Sequence, residues 1–122
     1  MVARSYFELL SKDEKRINVP AGHTVFEAGQ PGAEMYILTA GSIELRVKDR
    51  TLERVEPGGV FGEMALIDAE PRSATALAVT DCELVPIDTK RFEFMLSRMP
   101  FFATEVMRVM ARRLRQTIES AG

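Results

Sequence analysis

From Val19 to Ile87 the chain is a succession of short runs rich in β-branched and aromatic residues, cut by turn-forming residues. The runs are "HTVF", "MYILTA", "SIELRV", "TLERV", "GVFG", "SATALAV" and "CELVPID"; between them lie "AGQPGAE", "AG", "KDR", "EPGG" and "TD". No run is long enough for a stable helix, and Gly, Pro and Asp sit where tight turns need them. Within "SIELRVKDRTLERV", Ile43, Leu45 and Val47 alternate with Glu44, Arg46 and Lys48, the period of a half-buried strand, and "KDR" forms a hairpin tip. About seven strands at near-regular spacing define a mainly β domain: a sandwich, a jelly roll or a small barrel. One segment breaks the pattern. "EMALID" (Glu63 to Asp68) is made of good helix formers and predicts a single helical turn within the β region.

Before and after this region the signals differ. Ser5 to Leu10 reads as a short helix or turn carrying Tyr6, Phe7, Leu9 and Leu10. After Ile87 the period becomes helical: Asp88 can cap "TKRFEFMLSR", and Pro100 suits the first turn of a longer helix. Along that helix Phe102, Val106, Val109 or Met110, Leu114 and Ile118 form an apolar stripe, and Arg108, Arg112, Arg113 and Arg115 are expected on its solvated faces. The predicted organisation is one domain over 1–122, with an N-terminal helical segment (1–18), a β-roll (19–87) and C-terminal helices (88–122).

Composition excludes several functions. The 122 residues are 46% hydrophobic and 28% charged, with a net charge of −2, so no global field draws the chain to nucleic acid or an anionic membrane. Cys82 is the single cysteine, expected as a buried strand residue, and the chain lacks the apolar runs of a membrane span or a signal peptide. A cytoplasmic domain without membrane contact is expected. His23 is the single histidine, which argues against a zinc or non-haem iron site and against cupin-type metal catalysis. Neither a catalytic residue nor a metal ligand is predicted.

The chemistry concentrates in "FGEMALIDAEPRSAT", Phe61 to Thr75. Glu63 follows the glycines Gly58, Gly59 and Gly62, and Arg72 follows Pro71. The two charges are either a surface pair flanking a turn or two parts of a pocket. Glycines let a ligand approach the backbone, and the free amides at the start of "EMALI" favour an anion. Arg72 offers a planar fork matched to phosphate oxygens. Glu63 would repel a phosphate unless it accepts a hydroxyl proton from the same ligand. Together they describe a ribonucleotide whose phosphate is held close to its sugar.

The same residues resemble the phosphate-binding cassette of cyclic nucleotide-binding domains, which runs Phe-Gly-Glu-(Leu/Met)-Ala-Leu, a short spacer, then Pro-Arg-(Ser/Ala/Thr)-Ala-(Thr/Ser). The spacer has the length seen in kinase regulatory subunits. Gly22, Gly29, Gly32 and Gly41 match the family's turn glycines, and "MARRLRQT" is similar to the long helix of catabolite-activator-type regulators. The resemblance implies a β jelly roll (double-stranded β-helix) with a short cassette helix and C-terminal helices. It also implies a sensor without catalytic activity, with cAMP as ligand, or cGMP as the alternative, and no further cofactor. By resemblance Arg72 binds the cyclic phosphate and Glu63 the ribose 2′-hydroxyl. Backbone amides of Gly62, Met64, Ser73 and Ala74 line phosphate and sugar, with Phe61 and Ala65 completing the cassette. Thr117 contacts the base, but Ile118 stands where activator-type proteins have a serine contributed across a dimer. A homodimer through the C-terminal helix is expected. DNA binding by this chain alone is not, since no helix-turn-helix follows the long helix before Gly122. The alternative is a regulatory piece of a channel, kinase or transcription regulator.

Overall fold

The computed structural model describes residues 15–121, with side chains described through residue 119. The expected helix or turn at Ser5 to Leu10 lies outside the described residues. Eight strands form two four-stranded sheets. The first has the order β1-β8-β3-β6 and the second β2-β7-β4-β5. The strands are β1 (Ile17–Val19), β2 (Thr24–Phe26), β3 (Glu34–Ala40), β4 (Ile43–Val47), β5 (Arg50–Val55), β6 (Val60–Phe61), β7 (Thr75–Ala78) and β8 (Cys82–Asp88). All pairings are antiparallel. Strands close in sequence divide between the sheets, giving the jelly-roll character that the resemblance implies.

All seven expected strands are present, and one more. β1 falls in the stretch assigned to the N-terminal segment. It is three residues long and is held by pairing Ile17, Asn18 and Val19 with Leu84, Glu83 and Cys82, a long-range partnership with no local signal. The "KDR" tip is a tight hairpin pairing Val47 with Arg50, and Lys48 takes φ 57° to close it.

The first sheet is covered on both faces, which explains why β3 reads as a continuous apolar run. Tyr36 and Leu38 point between the sheets, joining Phe26, Ile43, Leu45, Phe61 and Leu84. Met35 and Ile37 point the other way, toward Phe92, Met95, Phe102, Val106 and Val109 of the terminal helices. The cassette helix α1 (Glu63–Asp68) forms as expected, entered through Gly62 at φ 84°. Asp88 caps α2 (Thr89–Arg98) by accepting from the Arg91 amide at 2.8 Å, and Pro100 opens α3 (Pro100–Ala121).

The expected apolar stripe on α3 divides. Phe102, Val106 and Val109 are buried, whereas Leu114 and Ile118 are 60% and 62% exposed. At about 100° per residue, the step from 102 to 118 turns about 160° around the helix, but the step from 102 to 113 only about 20°. The buried line therefore runs through Arg113, which is 8% exposed rather than on the solvated face expected.

Candidate ligand pocket between the cassette and the last helix

A cavity of about 930 Å³ opens between the second sheet, the cassette and α3, within the size range of small-molecule sites. Gly62, Glu63, Met64, Ala65, Arg72, Ser73, Ala74 and Thr117 all line it, so eight of the nine residues singled out by sequence meet there. Phe61 does not. Its side chain is fully buried between the sheets, with its ring 5.3 Å from that of Tyr36 and 6.0 Å from that of Phe26. Phe61 packs behind the cassette.

Arg72 is 7% exposed and points along the floor of the pocket. Nη1 donates to the Gly62 carbonyl at 2.9 Å and Nη2 to the Glu34 carbonyl at 2.7 Å. Its Cζ lies 4.0 Å from the centroid of the Phe26 ring, a cation–π contact. Nε is buried with no hydrogen-bond partner among the described residues. Burial pulls the guanidinium pKa down, opposed by Tyr36, Glu34 and Glu63. Burying this cation is costly, and the two carbonyls compensate only part of its donor capacity. The backbone makes room for it: a Cβ on Gly32 would stand 2.5 Å from Arg72 Cζ, and one on Gly62 2.9 Å from Nη1.

Glu63 is 1% exposed and is not paired with Arg72, so the surface-pair reading fails on burial and on geometry. Both of its oxygens accept from Arg113 Nη1, at 3.0 and 2.9 Å. Arg113 continues outward, with Nε donating to Glu53 at 2.6 Å and Nη2 to the Val60 carbonyl at 2.6 Å. Burial alone would lower the Arg113 pKa, but Glu63 and Glu53 outweigh it and the net shift is upward. Arg113 is the site residue that sequence reasoning missed. Its signal was present in the i, i+4, i+7, i+11 spacing of Phe102, Val106, Val109 and Arg113.

Ala65 and Ala74 are buried, whereas Met64, Ser73 and Thr117 are exposed. Ser73 Oγ approaches Met64 Sδ at 3.8 Å. Thr117 donates to the Arg113 carbonyl at 3.0 Å, which leaves its oxygen able to accept. Leu45, Val47, Leu52, Met110 and Leu114 give the far end of the pocket an apolar wall, and Lys48, Asp49 and Arg50 stand at its rim. His23 is exposed and does not line the pocket. Cys82 is buried, donating to backbone carbonyls, and burial pushes its thiol pKa up. No group of His, Cys, Asp and Glu among the described residues could hold a metal ion. No helix among them is long and apolar enough to cross a membrane.

A two-sheet roll thus carries a helical cassette whose arginine and glutamate are both buried beside one cavity. The comparisons give the class: the cyclic nucleotide-binding domain matches residues 16–99, and the chain belongs to that family. It is 32% identical over 121 residues to the CRP-like cAMP-activated global transcriptional regulator of Mycobacterium tuberculosis, covering 95% of this chain and 54% of that protein. It is 34% identical over 120 residues to the cyclic AMP receptor protein of Thermus thermophilus, covering 94% and 52%. The crystal structure of the Thermus thermophilus catabolite activator protein superposes with a TM-score of 0.78 at 32% identity, over 98% of this chain and 55% of that one. The chain thus spans about half the length of the curated relatives it matches.

Proposed function

We propose that the chain is a cyclic-nucleotide sensor that favours cAMP and performs no chemistry on it. The observation that carries this reading is Arg72, buried against the pocket with Nε unpaired. A ligand anion at that point supplies the acceptor that the protein does not. The cyclic phosphate sits against Arg72 and the amides of Ser73 and Ala74, and the ribose hydroxyl donates to Glu63. The base lies along the apolar wall, where the Thr117 oxygen can accept from the exocyclic amino group of adenine. Ser73 is the residue that would favour guanine instead. The Mycobacterium tuberculosis and Thermus thermophilus relatives are both named for cAMP, which supports the same order of preference.

Signalling follows from the neighbours of Glu63. A sugar hydroxyl at Glu63 changes what Arg113 meets, and Arg113 belongs to the helix that closes the pocket. The ligand therefore shifts the population of α3 positions, by as much as its affinities for them differ. The exposed Met107, Leu114 and Ile118, with Ala111 between them, follow a 4-3-4 spacing suited to pairing with a second copy. A homodimer through α3 is the second part of the proposal, and sedimentation equilibrium with Leu114→Glu checks it: the native chain should dimerise and the variant should not.

Titration calorimetry with cAMP and cGMP on the native chain and on Arg72→Ala tests the sensor reading. Native binding at micromolar concentration, with cAMP tighter, is expected. Absence of binding by either nucleotide would reject the reading, and tighter cGMP would reassign the ligand. Nucleotide recovered unchanged after prolonged incubation is the outcome expected of a sensor; conversion would show an enzyme.

A further inference from the structure

Arg113 is shared between two carboxylates that differ in position. Glu63 lines the pocket, but Glu53, on β5, does not. The Glu53 side chain is 9% exposed and bridges two arginines of α3, accepting from Arg113 Nε at 2.6 Å and from Arg112 Nη2 at 3.1 Å. Two positive and two negative groups are thus gathered at the seat of the last helix. A carboxylate facing a free guanidinium prefers the two-bond fork, one oxygen on each of two nitrogens. Glu63 does not obtain it. With Nε on Glu53 and Nη2 on the Val60 carbonyl, Arg113 gives Glu63 Nη1 alone. The two Glu63 oxygens share that one donor, so each is less fully engaged than in a fork and is the better acceptor for another hydrogen.

We infer that Glu53 is a positioning residue for the sugar-binding carboxylate: by holding Arg113 through Nε, it keeps Glu63 off a forked pairing and open to a ribose hydroxyl, while seating α3 on β5. The inference rests on the ribose role of Glu63 proposed above. Without Glu53 only the Val60 carbonyl restrains the guanidinium. It can then turn to give each Glu63 oxygen a hydrogen of its own, making both poorer acceptors for the ligand's hydroxyl. Such a loss falls on the ribose contact and spares the phosphate contact at Arg72. A residue that merely holds the helix would weaken every nucleotide alike.

The test is calorimetric titration of native chain, Glu53→Ala and Glu53→Gln with cAMP and with its 2′-deoxy analogue, with thermal unfolding to verify that each variant is folded. The native chain should prefer the ribose form by roughly tenfold, the scale of one charge-assisted hydrogen bond. Glu53→Ala should lose most of that preference, with affinity for the 2′-deoxy analogue nearly unchanged. Glu53→Gln keeps an acceptor for Nε and should fall between; it also carries the test if the alanine variant does not fold. Equal preference in variant and native, or an equal loss for both nucleotides, overturns the inference and leaves the sensor reading intact. A native chain that binds neither nucleotide, or does not distinguish them, overturns the inference together with the reading beneath it.

Discussion

The domain buries two arginines beside one pocket, and they are engaged in opposite ways. Arg113 has every guanidinium nitrogen committed to protein acceptors, two of them carboxylates. Arg72 has two nitrogens on backbone carbonyls, and its third has no partner among the described residues. Arg113 is completed by the fold, whereas Arg72 is not. On the proposed function, the difference separates a residue that sets the position of a helix from one that binds.

Substituting each arginine is the strongest way to break this contrast. Arg113→Ala strands Glu63 as an uncompensated buried carboxylate, and loss of about 3–5 kcal/mol of stability is expected. Differential scanning calorimetry should show it as a fall in Tm on the order of 10 °C or more. Arg72→Ala should instead act on binding, costing about 1.5–3 kcal/mol per charged hydrogen bond lost, or roughly ten- to a hundredfold in Kd. If Arg72→Ala proved the more destabilising and Arg113→Ala left Tm unchanged, the roles would be reversed. Glu63→Gln sharpens the comparison, since it should reduce the preference for ribose over a 2′-deoxy analogue without weakening the phosphate contact. Gly32→Ala is a finer probe. Its Cβ would press on the Arg72 guanidinium at a position with no left-handed φ to maintain. A several-fold weaker Kd with little change in Tm is expected.

The smallest predicted effect is a titration. Tyr36 packs beside the Arg72 end of the site and donates to Glu34 at 3.1 Å. Burial and the Glu34 carboxylate push its phenol up to about 12. The folded state thus favours the neutral phenol. This contribution is fully present below the ordinary value of 10.0 and is lost as pH rises through about 12. Tyrosinate absorbance should show one of the two tyrosines ionising late; two ordinary titrations would contradict the packing at Tyr36.

The same contrast explains what was legible in the sequence. The Arg72 site is built from residues contiguous along the chain, with glycines and a proline marking the backbone that shapes it, so composition and spacing expose it. The Arg113 site joins β5, the cassette and a helix about 50 residues further on. Charged residues on a helix read by default as solvated, and only the period through Phe102, Val106 and Val109 marks Arg113 as inward. β1 was missed for a related reason, since three residues hold their place only through a partner far along the chain. Cassette membership in sequence does not say which face of a two-residue strand looks inward, and Phe61 faces the core between the sheets. The other seven strands, the cassette helix and the Asp88 cap, in contrast, follow from local period and turn chemistry.

The central claim is that a cyclic phosphate supplies the acceptor that Arg72 Nε lacks, and proton–nitrogen correlation NMR of the arginine Nε–H groups during titration with cAMP tests it most directly. The Arg72 signal, assigned by its absence in Arg72→Ala, should move downfield and saturate with the ligand, while the Arg113 signal remains hydrogen-bonded throughout. An Arg72 Nε–H that stays in place while cAMP saturates the chain would contradict the account.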